Sequence, residues 1–138
     1  MFGRKKDKRI LTDWPSLQDA LVAFFDATQT PEGDMSLRIE WKAEKRHQEI
    51  RVTHAPTPLG PVAFVTAPLL SAPTESQLKW LMSQSAKLLM GGIVLDNGIA
   101  HLRSTVPFEG TAFSEIDVII RQLAANADNL REEITEIG

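Results

Sequence analysis

The stretch Gly91–Phe108, GGIVLDNGIAHLRSTVPF, constrains this chain more than any other. Two apolar runs flank Asn97-Gly98, a pair that tolerates the positive φ angles a two-residue type I′ turn requires. Such a turn sets the register: Leu95 opposite Ala100, Val94 opposite His101, Ile93 opposite Leu102. Side chains alternate faces along a strand. Ile93, Leu95, Ala100, Leu102 and Val106 therefore share an apolar face. Val94, Asp96, His101, Arg103 and Thr105 make a mixed one. A hairpin with one apolar face must lie on something, and a long helical pattern follows directly.

That pattern is expected to start near Ser114. Ile116, Ile120, Leu123, Ala127, Leu130, Ile134 and Ile137 repeat every three or four residues, the stripe of a helix with one buried face. It runs past Ile120 for longer than a small sheet would demand, so it either packs plainly on the sheet or partly serves a second subunit.

The remaining elements are shorter. Trp14-Pro15-Ser16 opens a first helix, with Ser16 and Asp19 as the expected capping box. Leu17, Leu21, Phe24, Phe25 and Thr28 form its inner face, and Pro31–Asp34 stops it. Residues 36–42 and 49–53 alternate as half-buried strands, Trp41 facing inward, with the polar run 43–48 between them as a turn. Three prolines make 56–61 a loop. Residues 62–67 form a strand that is apolar on both faces and needs a cover on its second side. Thr74 and Gln77 form a capping box for a second helix with Leu78, Leu81, Met82, Ser85 and Leu89 on its inner face, ending at Gly91-Gly92. The order is α-β-β-β-α-β-β-α: an α+β fold of one antiparallel sheet with helices packed against it.

A length of 138 residues suits one domain, residues 11–138, preceded by a basic flexible tail at 1–10. The tail carries Arg4, Lys5, Lys6, Lys8 and Arg9 against Asp7, while the whole chain has a net charge of −3, so the body is acidic. The five cations are candidates for contact with an anionic surface, and Phe2 is a small anchor. Each is worth about 1 kcal/mol near such a surface, so membrane contact is weak at most. Without cysteine the chain has no disulfide, thiolate metal site or cysteine nucleophile, which fits a cytoplasmic protein. His47, His54 and His101 lack metal-ligand spacing, Gly91-Gly92 is no phosphate loop, and no serine sits in a nucleophile elbow. Glu132, Glu133 and Glu136 read as a solvated helix end. No catalytic residue, metal or cofactor is expected, and no nucleic-acid partner. Trp80 and Leu88 lie off the inner stripe of the second helix, and Phe64 lies on the second face of the third strand. With Ile137 they are the candidates for protein binding.

The element order, the acidic body, and the segment from Gly91 to Phe108 followed by a long helix resemble the type III secretion chaperone-like fold and the YbjN-like group that shares it. The resemblance covers roughly residues 11–135. It implies a non-enzymatic protein-binding domain, chaperone-like or regulatory, that forms a homodimer and binds an extended segment of another protein. The basic N-terminus departs from the chaperone pattern. The competing classes are a small enzyme with a polar site on the sheet's mixed face, and an anionic-surface adaptor using the tail.

Overall fold

The computed structural model describes residues 8–88 and 91–137. Among them the chain forms an α+β fold with α1 (Trp14–Phe25), β1 (Thr28–Gln29), β2 (Met35–Trp41), β3 (Arg46–Ala55), β4 (Val62–Ser71), α2 (Glu75–Ser85), β5 (Gly92–Asp96), β6 (Ile99–Pro107) and α3 (Phe113–Ile134). The strands make one antiparallel sheet in the order β1-β2-β3-β4-β6-β5. The expected order holds, with the two-residue β1 added before β2. α1 packs on β2, α3 crosses β3, β4 and β6, and α2 packs on β5 and α3.

The 91–108 hairpin has the expected register: Leu95 faces Ala100, Val94 faces His101, and Ile93 faces Leu102. Asn97 and Gly98 take φ of 52° and 74°, both in the left-handed region that a type I′ turn needs. Ala100 and Leu102 are fully buried beneath the helices.

β3 and β4 are longer than the alternation suggests. Each has ten residues, so each runs about 33 Å. α3 has 22 residues and is also about 33 Å long. Helix and strands are equally long, and of the two readings of the apolar stripe, plain packing on the sheet holds through Ile134. Leu123, Ala127, Leu130 and Ile134 are all buried against this chain's own sheet. β3 gains its length at Arg46–Gln48, which pairs with Ile39–Trp41 across a tight turn with Lys45 at φ 55°. In place of the expected turn at 43–48, the connection is the four residues Lys42–Lys45. β4 continues through Pro68, where a register shift between Pro68 and Leu70 accommodates the missing proline N–H.

Helix ends also differ. The first capping box is Asp13 with Ser16: the Ser16 N–H donates to Asp13 Oδ1 (2.9 Å) and the Asp13 N–H to Ser16 Oγ (3.1 Å). Ser16 is its third residue, not its cap. α1 stops at Asp26 (φ 52°), well before Pro31, because Asp tolerates the left-handed cap. This frees Thr28 for β1. The Thr74–Gln77 box is present. α2 ends at Ser85, not at Gly91, as the N–H groups of Lys87 and Leu88 bond three residues back and tighten the last turn.

α3 begins at Phe113 with no side-chain cap. Its first N–H is satisfied by the chain's beginning instead: the Phe113 N–H donates to the carbonyl of Arg9 (2.8 Å). Leu11 exchanges backbone hydrogen bonds with Thr111 and Gly110, and Ile10 bridges Ala112. Among the described residues backbone pairing therefore starts at Arg9, two residues ahead of the expected domain boundary.

Candidate functional site

α1, α2 and α3 lie on one face of the sheet, so among the described residues two other surfaces are left uncovered: the edge at β5 and the sheet's open face.

Among the described residues β5 pairs with β6 alone. Its sequence, GIVLD, has no proline and no charge before Asp96. A bare, uncharged edge strand is a template for pairing with another chain. The opposite edge is managed differently: β1 is two residues long, and β2 behind it points Arg38 and Glu40 away from the core. Beside the β5 edge, Leu95 is 54% exposed at the rim of the helix-covered face. On α2, Met82 is 63% exposed although its spacing suggested the inner face. α2 packs chiefly on β5 and the side of α3, and Leu81 is its one buried residue among those described.

The open face is built by strand parity. Arg51 of β3 is registered with Thr66 of β4, and Thr66 with Arg103 of β6. Two arginines thus flank one threonine across the middle of the sheet. In the adjoining rows Phe64 pairs with Thr53 and Thr105, and His101 with Pro68 and Val94. The Arg103 guanidinium lies 4.7 Å from the centroid of the Phe64 ring. Two depressions, of about 280 and about 460 Å³, meet at Arg51, Thr66 and His101. Asp34 and Asp96 stand at opposite corners of the smaller one. The His101 Nδ1 is buried with no hydrogen-bond partner. Burial pushes the imidazole pKa below its ordinary value; Asp96 opposes this and the Arg51 charge adds to it.

A third region, at the far end of β3 and β4, is a crevice of about 480 Å³ beside α3. Of its charges, Arg46, Asp128, Glu132 and Arg131 are already engaged. Arg46 bonds Asp128 (2.7 Å) and Glu132 (2.9 Å). Glu132, Glu133 and Glu136 are exposed, the solvated helix end the sequence suggests, and Glu132 also joins this clamp. Arg131 donates to the buried Gln48 Oε1 (3.2 Å). This network fastens α3 to β3 and leaves little charge for a ligand.

The protein-binding candidates do not come together. Trp80 and Leu88 are half-buried, packed against the core from the α2 side. Phe64 is half-buried on the open face under Arg103. Ile137 is half-buried just beyond α3, its carbonyl accepting from Gln77 Nε2 (3.2 Å). Of the tail cations, Arg4, Lys5 and Lys6 lie outside the described residues. Lys8 is exposed, and the Arg9 guanidinium lies 5.7 Å from the Phe24 ring. Reading the sequence missed Arg51 and Thr66 as neighbours of Arg103, because β4–β6 pairing joins segments separated by a whole helix. Parity was the available signal for their facing, but not for their adjacency.

Among the described residues no group of three His, Asp or Glu side chains is placed to hold a metal ion, and no helix is long and apolar enough to cross a membrane. No protein-family model matches the chain, and no curated protein matches it.

Proposed function

We propose that this chain is a non-enzymatic protein-binding domain, chaperone-like or regulatory, that works as a homodimer and holds an extended segment of another protein. The observation that carries the reading is the β5 edge: an unguarded strand bordered by the exposed Leu95 and by α2 with the exposed Met82. Antiparallel pairing of β5 with its own copy is a two-fold, self-complementary contact, the commonest way small proteins associate. An extended partner segment would use the same main-chain donors and acceptors. The resemblance to secretion-chaperone-like and YbjN-like proteins points the same way. This surface keeps α2 and the sheet but not α3, which buries its stripe through Ile134 within one chain.

Light scattering at micromolar concentration tests the dimer. The expected mass is twice 15.3 kDa, falling to the monomer value in Leu95→Lys and in Met82→Lys. Both side chains are exposed, so neither change should disturb the core. A mass of one chain at all concentrations rejects the dimer. A dimer insensitive to both changes rejects the β5–α2 surface.

A further inference from the structure

A different surface, the open face of the sheet, carries an inference independent of the protein-binding reading. Arg38 and Arg46 of β2 and β3 each hold a carboxylate, Arg38 bonding Glu49 at 2.7 Å. Arg51 and Arg103 hold none among the described residues, although Asp34 and Asp96 line the same depression. The two residues flank Thr66 in register, with their backbones two strand spacings, about 10 Å, apart. That span lets two arginine side chains close over one small group. The Phe64 ring supports the Arg103 guanidinium and limits its freedom. Beside Thr66 sits His101, whose Nδ1 is buried and unpartnered. Buried polar atoms without protein partners are rare in folded proteins.

We propose that the depression over Thr66 binds a compact oxyanion, the carboxylate or phosphate group of a small molecule, between Arg51 and Arg103 and within reach of the Thr66 hydroxyl and His101. Guanidinium forks match the paired oxygens of such groups. Asp34 and Asp96 at the corners repel extended polyanions, so the site selects a localised charge and disfavours nucleic acid. The larger depression, about 460 Å³, has room for the rest of a small ligand.

The test is an amide-resolved NMR titration of the full chain with inorganic phosphate and, separately, with malonate, at ionic strength held constant by sodium chloride. The expected result is saturable shifts at Thr66, His101 and Arg103 with at least one anion, the more effective one naming the oxyanion. The His101 imidazole should titrate at higher pH in its presence, since a bound anion favours the protonated ring. Arg51→Gln and Arg103→Gln should each weaken binding at least tenfold, and Arg38→Gln should leave it unchanged. Should Arg103→Gln disturb the fold through Phe64, Thr66→Val removes the hydroxyl at constant volume and should also weaken binding. The proposal is overturned if neither anion gives saturable shifts, if chloride reproduces them, or if they persist in Arg51→Gln and Thr66→Val.

Discussion

The Phe113 N–H donates to the carbonyl of Arg9, closing the start of the chain onto the start of its last helix. This bond satisfies a helix-terminal donor for which α3 has no side-chain cap. Deleting residues 1–8 should leave the thermal midpoint unchanged. Deleting 1–10 should destabilise by about 1–2 kcal/mol, the cost of a lost hydrogen bond with an orphaned donor. Equal melting of the two truncations would show that the strap contributes nothing.

Two glycines separate backbone strain from crowding. Gly98 has φ 74° with nothing within 4 Å of an added Cβ, so Gly98→Ala should cost about 1–2 kcal/mol from strain alone. Gly91 has φ 81°, and its added Cβ would lie 3.0 Å from the Arg103 carbonyl oxygen and 3.2 Å from Leu123 Cδ1. Gly91→Ala should therefore lose more, because backbone oxygen cannot move aside cheaply. Urea unfolding of both variants checks the order, and a milder loss at Gly91 than at Gly98 contradicts it.

Gln48 is 1% exposed in an otherwise apolar core. Its Nε2 donates to the Pro68 carbonyl (3.3 Å), beside the register shift in β4, and its Oε1 accepts from Arg131. Gln48→Leu keeps the bulk and leaves that carbonyl unpaired. A loss of about 1–3 kcal/mol is expected in chemical denaturation. A neutral or stabilising change would mean the amide is not what holds the bulge.

His101 links stability to pH. Burial keeps its folded-state pKa below the unfolded value, so the unfolded chain binds the proton first as pH falls. Stability should therefore drop as pH decreases from about 6.5 to the lower folded pKa, then level off with respect to this group. His101→Gln should flatten the pH dependence of the urea midpoint between pH 7.5 and 5.5. An identical slope in wild type and variant would remove His101 as its source.

The local signals were strong where the chemistry is local. Asn97-Gly98 set a turn and thereby a register, Thr74-Gln77 capped a helix, and the isoleucine-leucine spacing of α3 marked its buried face through Ile134. Each depends on residues within a few positions of one another, so the sequence by itself determined them. The tertiary structure decided what distant segments settle together. Arg46–Gln48 reads as a polar turn, yet it becomes strand because Ile39–Trp41 pairs with it and α3 supplies Asp128, Glu132 and Arg131. That added length lets the sheet bury the α3 stripe through Ile134. Arg51 and Arg103 stand 52 positions apart in the sequence. They flank Thr66 because antiparallel pairing on both sides of β4 aligns them, and no local pattern encodes which strands become neighbours.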